Sequence, residues 1–344
     1  MKILVEILHP AHVHFFKHAI SSWKKRGDQV LVLSREKECA NDLLKAYDIS
    51  YTSISTLRKG TCYLLVEMLI RNWRMWIAAR RFNPEVLVGI MGVTIVQVGK
   101  LIRKPAIVFY DTENASLTNR VVYPLAHSIC TPTCYEERVK GHHLTYPGYH
   151  ELAYLHPTRF TPDPSVLKKL GLDPDEIYFV VRFVSWQASH DLGETGLNLD
   201  FKRTLIAQLA EQGRVLITSE EPLPEDLQAY QFSLKPEHMH HVIAFSNMLV
   251  GESATMASEA AVLGIPAIFI SDTGRGYTHE EENEYGLVFN YKRNQPQEIL
   301  TKVDELLNIP MEHFQQLRER LLKDKVDTTQ WAMDYIDSVI LEKT

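Results

Sequence analysis

The sequence predicts an α/β protein built from two doubly wound domains, and three observations lead to this prediction. Short apolar strands alternate with helical patterns from the first residues onward, as in parallel βαβ units. With 344 residues, the chain is too long for one small core. Between Tyr146 and Pro164 the alternation gives way to a stretch rich in proline and aromatic residues, which we interpret as a linker.

The N-terminal domain is predicted over residues 1–150. Because its apolar strands are separated by helices with short connections, we expect a parallel sheet covered by helices on both faces. The segments are, in order, KILVEIL, HVHFFKHAISSWKKRG, QVLVLS, EKECANDLLKAYD, YTSI, EVLVGI, TIVQVGKLIRKP, AIVFYD, LTNRVVYPLAH and SICTPT.

The C-terminal domain is predicted over residues 151–326, from a second βα series. Its segments are IYFVVRFV, FKRTLIAQLAEQG, RVLITS, HMHHVIAFS and NMLVGESATMASEAAVLGIPAIFI. Residues 327–344 have the pattern of a final helix, which we expect to cross back and pack on the N-terminal domain.

Composition and the apolar pattern argue against a nucleic-acid partner, a secreted protein and a membrane-spanning helix. A net charge of −6 and a pI near 6.2 argue against nucleic acid, which requires a basic face to displace counterions. The four cysteines lack metal-ligand spacing and the N-terminus lacks a signal-peptide pattern, so we expect a cytoplasmic protein. No uninterrupted apolar run approaches the roughly 20 residues of a spanning helix.

The stretch from Asn247 to Ile270 is the clearest candidate binding site. It reads as a buried strand, a turn of small residues, a helix closed by Gly264 and a second buried strand. Such a turn directs free backbone N–H groups and the positive end of a helix dipole at one spot. The pattern therefore predicts a site for a phosphate or diphosphate.

Three histidines follow the first strand, at the carboxyl edge where open α/β sheets bind ligands. His12 or His14 is expected to reach a substrate as a general base or an anion contact. Alternatively, His9, His12 and His14 cap and pack the turn. The His-x-His spacing has no nearby Asp or Glu to complete a ligand set, so we predict no metal and no other cofactor.

Two carboxylates lie at the carboxyl end of the strand AIVFYD, at the same edge. Glu113 is the candidate for acid–base work there, and Asp111 is its candidate support. The alternative is that Asp111 or Asn114 caps the following helix.

Two polar loops follow strands of the C-terminal domain. The loop from Ser185 to Gly196 holds Ser189 and His190, and Arg182 lies just before it. It is a site candidate, with a mobile surface connection as the alternative. The second loop, TGRGYTHEEENEYGLVF, supplies four further candidate contacts, which are Arg275, Tyr277, His279 and Glu281.

Residues 62–82 form a helical pattern in which apolar and aromatic residues alternate with arginines. The helix either covers the sheet, with the arginines on its solvated side, or lies on an anionic membrane surface. The second interpretation would make the protein peripheral at the inner face of the membrane.

Several blocks resemble the prokaryotic family known as domain of unknown function 354. They are HPAHVHFFKHAI, FYDTENA, ELAYLHP, VVRFVSWQASH and GESATMASEAAVLGIPA, in this order. The members of that family are regarded as glycosyltransferases of the GT-B type. The resemblance implies a GT-B architecture, in which two Rossmann-like domains face a cleft, with the nucleotide on the C-terminal domain and the acceptor on the N-terminal domain.

Two better-understood GT-B relatives imply site residues. NMLVGESATMASEAAVLG is similar to the donor site of the peptidoglycan N-acetylglucosaminyltransferase. That similarity implies that the diphosphate binds at the helix start, which consists of Ser253, Ala254, Thr255 and Met256. It also implies that Glu259 binds the ribose. Glu252 stands where a small or neutral residue is usual, so its charge is repulsive unless it points away or binds sugar hydroxyls.

The second relative is the UDP-N-acetylglucosamine 2-epimerase, whose segment with a catalytic glutamate resembles DTENASLTNR and would place that glutamate at Glu113. The strand end of that enzyme is not matched by VVRFVSWQASH. We therefore expect a metal-independent glycosyltransferase. Its donor is a nucleotide diphosphate sugar, with a UDP-sugar as the first candidate, and its acceptor is a cell-envelope polysaccharide or a lipid-linked molecule. A nucleotide-sugar epimerase or hydrolase is the alternative, and a non-catalytic nucleotide-sugar-binding protein is the third reading.

Overall fold

The computed structural model describes residues 1–56, 61–113, 115–173, 175–184 and 196–342. The chain divides into two compact units, and the first of them is discontinuous in sequence. Unit 1 comprises Met1–Tyr154 and Val326–Thr344, and unit 2 comprises Leu155–Lys325.

Unit 1 is a doubly wound parallel sheet, in the strand order β3-β2-β1-β4-β5-β6-β7. Its strands are β1 Lys2–Ile7, β2 Gln29–Glu36, β3 Thr52–Thr56, β4 Val86–Ile90, β5 Ala106–Phe109, β6 Ser128–Pro132 and β7 His143–Tyr146. Its first helices are α1 Pro10–Lys25, α2 Ala40–Ala46, α3 Thr61–Phe82, α4 Val93–Ile102 and α5 Ser116–Val122, and α6 Leu152–Leu155 follows β7.

Helices cover both faces of this sheet, because the strands carry apolar residues on both sides. On one face, α3, α4 and α5 bury Met75, Val98 and Val122 against strand residues such as Leu87. On the other face, Phe15 of α1 packs against Phe109 of β5, with 5.0 Å between the ring centroids.

Unit 2 contains a second parallel sheet, in the order β12-β11-β10-β8-β9. The strands are β8 Tyr178–Phe183, β9 Arg214–Ser219, β10 Met248–Gly251, β11 Ala267–Ile270 and β12 Val288–Tyr291. The helices are α7 Ser165–Lys168, α8 Leu199–Ala210, α9 Met239–Ile243, α10 Ala254–Leu263, α11 Gly276–Asn283, α12 Pro296–Leu307 and α13 Met311–Asp324, with short 3₁₀ turns at Glu225–Tyr230 and Pro236–His238.

The last helix, α14 Thr328–Leu341, belongs to unit 1. The hydroxyl groups of Thr328 and Thr329 donate hydrogen bonds of 2.7 Å to the carbonyl groups of Tyr149 and Ala153. Ile336 of α14 is fully buried, and a buried side chain of this kind contributes about 1.5–3 kcal/mol. These contacts confirm the predicted return of the C-terminal helix to the N-terminal domain.

The first half of the aromatic stretch 146–164, which begins at the end of β7, belongs to the core of unit 1. Tyr146, Tyr149 and Tyr154 are fully buried, so this half of the stretch is not an exposed linker. A Cβ atom at Gly148 would lie 2.7 Å from the hydroxyl oxygen of Thr328, which shows how closely α14 approaches. The periodicity breaks here because the three rings belong to three short pieces, the end of β7, a turn and the single-turn helix α6.

Each sheet has one point where the strand order reverses. In unit 1 it lies between β1 and β4, and in unit 2 it lies between β8 and β10. Open α/β sheets bind ligands outside the carboxyl ends of the strands at such points. The turns after β1, β8 and β10 are therefore the positions at which this fold favours a ligand-binding site.

Candidate functional site

The turn after β10 begins with a glycine that the sheet requires. Gly251 pairs in register with Arg182 of β8, and a Cβ atom at this position would lie 2.2 Å from the Arg182 carbonyl oxygen. The chain then enters α10 within three residues, as the sequence pattern of a strand, a turn of small residues and a helix predicts.

The start of α10 presents backbone N–H groups at the carboxyl edge. Ser253 is the N-cap, with extended backbone, and its Oγ accepts a hydrogen bond from Met256 N at 3.3 Å. The N–H groups of a first helical turn have no partner within the helix, and the dipole adds partial positive charge. Ser253, Ala254, Thr255 and Met256 are all partly exposed, so this helix start can receive an anion.

The charge of Glu252 is accounted for by the connection that follows β8. Its side chain is only 2% exposed, and its two oxygens accept hydrogen bonds from Leu197 N at 2.8 Å and Val184 N at 3.2 Å. Glu252 therefore holds the two ends of this connection together, which favours a positioning role. Ser189 and His190 lie between these ends, in the stretch 185–195, outside the described residues.

Glu259 lies further along α10 and is paired with a histidine. Nε2 of His240 in α9 is 2.9 Å from Oε1 of Glu259, and both side chains are buried. Phe160 packs edge-on to the His240 ring, with 6.2 Å between centroids. The sequence places HMHH at 238–241 in a structural segment of the βα series, and the structure shows that one of these histidines, His240, fixes Glu259.

Three predicted donor contacts are partly exposed, one at the end of β8 and two at the start of α11, the helix that follows β11. Arg182 at the end of β8 is held by Thr218 at 3.0 Å and Glu220 at 2.5 Å. Arg275 precedes α11, and its guanidinium donates to the Gly274 carbonyl at 2.8 Å. His279 lies over the same glycine, where a Cβ atom would be 2.2 Å from the ring Nε2.

Two other predicted contacts have buried side chains. Tyr277 is 4% exposed, and Glu281 is fully buried against α10, where Ser258 Oγ donates a hydrogen bond to Glu281 Oε1 at 2.5 Å. Burial raises the pKa of Glu281 to about 8, so this side chain is a neutral acid at pH 7. Its place between α10 and α11 favours a role in holding the two helices.

In unit 1 the structure brings together His12, Asp111 and a residue that the sequence analysis missed, His150. Nδ1 of His150 is 3.0 Å from Asp111 Oδ2, and Thr112 donates a hydrogen bond of 3.0 Å to Asp111 Oδ1. Burial by itself would raise the pKa of Asp111, but the charge of His150 and these hydrogen bonds outweigh it and lower the pKa to about 2. Asp111 is therefore an ionised support, which orients His150.

His12 is a neutral side chain in this environment. Burial, assisted by the neighbouring His9 and His150, lowers the pKa of His12 well below its usual range, and the opposing effect of Asp111 is smaller. Because Nδ1 of His12 accepts a hydrogen bond from Leu8 N at 3.3 Å, the neutral ring carries its proton on Nε2. In this tautomer His12 can donate a hydrogen bond to a ligand.

The two other candidate bases lie in different surroundings. Nδ1 of His14 is 3.4 Å from the hydroxyl of Tyr47, and its ring packs against Tyr154 with 5.2 Å between centroids. Glu113 is 5% exposed, and its Oε1 accepts a hydrogen bond from Glu136 N at 3.3 Å. Glu113 therefore lies at the carboxyl end of β5, in contact with the segment that follows β6.

The two parallel sheets with their covering helices, and the return of the last helix to the first unit, are the features of a GT-B-type fold. The chain belongs to the family described as protein of unknown function (DUF354), whose model matches residues 1–320. An uncharacterized protein of Methanocaldococcus jannaschii is 21% identical over 281 residues, which cover 78% of this chain and 81% of that protein.

Solved structures show the same fold at low identity. The UDP-GlcNAc 2-epimerase from Neisseria meningitidis bound to UDP-GlcNAc has a TM-score of 0.68 at 12% identity, covering 99% of this chain and 100% of that one. Acinetobacter baumannii MurG has a TM-score of 0.60 at 12% identity, covering 98% and 100%. The glycosyltransferase VinC in complex with DTDP has a TM-score of 0.65 at 10% identity, covering 99% and 100%.

Proposed function

We propose that this chain is a metal-independent GT-B glycosyltransferase. It transfers a sugar from a nucleotide diphosphate, with UDP as the first candidate, to a cell-envelope polysaccharide or lipid-linked acceptor. The observation that carries the proposal is the start of α10. It lies at the strand-order reversal of unit 2, presents backbone N–H groups and is followed by a fixed carboxylate, Glu259.

In this proposal unit 2 binds the donor. The start of α10, Ser253 to Met256, binds the diphosphate with the backbone N–H groups that the Ser253 cap leaves available, and the helix dipole stabilises the charge that develops as the diphosphate leaves. Glu259, oriented by His240, accepts hydrogen bonds from the ribose hydroxyl groups. Arg182, Arg275 and His279 are further contacts at the same edge. The similarity to proteins that are bound to UDP-GlcNAc and DTDP supports a nucleotide diphosphate as the ligand class.

Unit 1 binds the acceptor and supplies the base. Glu113 is the first candidate for taking the proton of the acceptor hydroxyl, with His14 second. His12, whose neutral ring carries its proton on Nε2, donates a hydrogen bond to the acceptor. Asp111 acts through His150 as a positioning residue.

The test of the donor site is the binding of UDP, measured by calorimetry, to the wild type and to Glu259→Ala. We expect at least about tenfold weaker binding in the variant, because hydrogen bonds to a charged group are worth about 1.5–3 kcal/mol each. Equal affinities would remove the ribose assignment. Exposed Glu284→Gln is the control.

The test of the base is Glu113→Gln, which should retain UDP binding and lose transfer. Unchanged turnover would exclude Glu113 as the base. The same assay in the presence of EDTA tests independence from metal ions, since the activity of a metal-dependent transferase falls when its ion is removed.

Acceptor omission separates the transferase from the epimerase or hydrolase alternative, which the fold of the UDP-GlcNAc 2-epimerase keeps open. A transferase gives no new sugar product from nucleotide sugar alone, whereas an epimerase or hydrolase does. A non-catalytic binding protein would bind the nucleotide sugar and give no product under either condition.

A membrane surface is the proposed site of the acceptor, and α3 supports it. Val66, Leu69, Ile70 and Trp73 recur at intervals of three and four residues on one exposed stripe, in which Leu69 is 65% and Trp73 62% exposed. Arg80 and Arg81 follow in the last turn. An apolar stripe with neighbouring cations fits the surface of an anionic membrane. Within the described part of the chain, no helix is long and apolar enough to cross a membrane.

Co-sedimentation with phosphatidylglycerol vesicles tests this surface. The wild type should sediment with the vesicles, and Leu69→Ser with Trp73→Ser should abolish this because the exposed apolar area is lost. Ile177→Ser, which removes an exposed apolar side chain of unit 2, is the control. Sedimentation of the α3 variant at the wild-type level would contradict the proposal.

A further inference from the structure

A cavity of about 520 Å³ opens on unit 1 between α5 and the connection that precedes β7. This volume is within the range of sites for small molecules, about 300–1,000 Å³. Its lining residues are Ser116, Asn119, Arg120, Tyr123, Pro124, Glu137, Arg138, Lys140 and Gly141. None of them was a candidate from the sequence, because the segment DTENASLTNR pointed to Glu113 and not to the start of α5.

Three cationic side chains line the cavity, and their charges can interact with a bound ligand. Arg120, Arg138 and Lys140 are exposed, and none of them forms a hydrogen bond or ion pair with another described residue. The one carboxylate of the lining, Glu137, accepts a hydrogen bond from Asn119 Nδ2 at 3.3 Å. The described lining therefore has an excess of positive charge in a chain whose net charge is −6.

The cavity is adjacent to the proposed base. Glu113 Oε1 accepts a hydrogen bond from Glu136 N at 3.3 Å, and the next residue, Glu137, lines the cavity. Ser116, the first residue of α5, lies three positions after Glu113 and also lines it. A ligand in the cavity is thus held by the two segments that contact or carry Glu113.

We propose that this cavity binds a phosphate or diphosphate group of the acceptor, so that the acceptor hydroxyl lies at Glu113. The inference rests on the proposed function, and it specifies the acceptor as a phosphorylated molecule. Two guanidinium groups and one ammonium group suit a phosphate. Each arginine can donate two parallel hydrogen bonds to phosphate oxygens, and the lysine adds a compact positive charge.

Either of two sources provides this chemistry, a soluble sugar phosphate or the headgroup of a phosphorylated lipid. The arrangement of helices accommodates the second. α3, α4 and α5 cover the same face of the sheet, and each exposes apolar side chains to solvent, with Leu101 of α4 66% and Leu117 of α5 77% exposed. The cavity therefore adjoins the helical layer that we propose to contact a membrane.

The experiment is the binding of inorganic pyrophosphate by calorimetry, with UDP present at saturation so that the start of α10 is occupied. The test variant is Arg120→Gln, Arg138→Gln and Lys140→Gln. The control variant, Lys24→Gln, Lys25→Gln and Lys323→Gln, removes the same charge from exposed positions of α1 and α13. Thermal unfolding of both variants shows whether each is folded.

Loss of the three charge-assisted contacts should weaken pyrophosphate binding by at least about tenfold in the test variant. The control variant should retain the wild-type affinity. Equal weakening in the two variants would mean that only net charge matters, and equal affinity of the wild type and the test variant would place the anion elsewhere. Each of these results overturns the proposal.

Competition identifies the source of the phosphate. Glucose 1-phosphate in solution and farnesyl phosphate in phosphatidylcholine vesicles are each tested for displacement of pyrophosphate. Displacement by either supports the proposal and assigns the source, and displacement by neither overturns it.

Failure of the donor proposal is distinguishable from failure of this one. If UDP does not bind the wild type, the proposed function fails at its donor site. Pyrophosphate binding without UDP, compared between the test and control variants, then still decides whether the cavity binds the anion.

Discussion

Nε2 of His240 donates a hydrogen bond to Oε1 of Glu259 across 2.9 Å, inside unit 2 and between two helices that lead to and from β10. The pair links a motif of clustered histidines to the carboxylate proposed to bind ribose. Because the His240 ring is buried and bonded to Glu259, we expect it to act on a ligand through that carboxylate.

Replacement of His240 by alanine should therefore weaken UDP binding by about tenfold, the effect of losing one hydrogen bond to a charged group. The affinity for 2′,3′-dideoxy-UDP, which lacks the hydroxyl groups that Glu259 is proposed to bind, should be the same in wild type and variant. Calorimetry with both nucleotides measures this. His238→Ala, whose side chain contacts Lys169, is the control. Equal losses for the two nucleotides would show that His240 has a general structural role.

Glu252 should be required for the stability of unit 2. In Glu252→Gln, an amide NH₂ group faces one of the backbone N–H groups of Val184 and Leu197, and that donor is left without its acceptor. An unsatisfied buried donor costs about 1–3 kcal/mol, so the free energy of unfolding should fall by this amount. Urea unfolding of the variant beside Glu284→Gln, which changes an exposed carboxylate, measures the difference. If the two variants unfold alike, the two hydrogen bonds do not hold the connection.

The pair Asp111 and His150 should make stability depend on acid pH. The pKa of Asp111 is lower in the folded chain, about 2, than its ordinary 3.8, so the ionised carboxylate stabilises the fold above pH 4. This contribution, about 2 kcal/mol, disappears as the pH falls from about 4 to about 2. Urea unfolding at a series of pH values should show that Asp111→Asn is destabilised at pH 6 and that its difference from the wild type shrinks toward pH 2. A difference that does not change with pH would argue against an ionised Asp111.

Glu281 should give the opposite dependence. Its pKa is raised from 4.5 to about 8 by burial, with Glu280 adding to the effect and Lys325 opposing it. The neutral acid is compatible with the fold below pH 4.5, and stability is lost as the pH rises toward 8, because only the unfolded chain ionises freely. The cost at pH 7 is on the order of 3 kcal/mol.

The variant Glu281→Gln, which resembles the neutral acid, should be more stable than the wild type at pH 7 and equal to it near pH 4. Thermal unfolding at the two pH values measures this. UDP affinity should stay within about twofold of the wild type, because the side chain is enclosed between α10 and α11. Loss of UDP binding would instead support the direct donor contact that the sequence predicts for Glu281.

The regular part of this structure follows from local patterns. Alternating strands and helices with short connections predict parallel sheets, and the small residues from Gly251 to Ala254 predict the turn into α10. These features depend on residues that are neighbours in the sequence, so they can be predicted from a single sequence.

The contacts that the sequence does not reveal join distant residues. His150 lies 39 positions from Asp111, in a stretch without periodicity, and Glu252 accepts hydrogen bonds from residues 55 and 68 positions away. Glu281 has the pattern of a polar loop residue, but the packing of α11 on α10 encloses it. Local propensity carries no information on such pairs, because burial is a property of the whole fold.

The place of α14 in unit 1 has a consequence for the order of folding during synthesis. Translation supplies the N-terminal elements first, and domains usually begin to fold in that order. Here the helix whose threonines bind Tyr149 and Ala153 is translated after all of unit 2. Unit 2 therefore has its full set of residues on the ribosome while unit 1, although begun earlier, still exposes the apolar surface that Ile336 will cover.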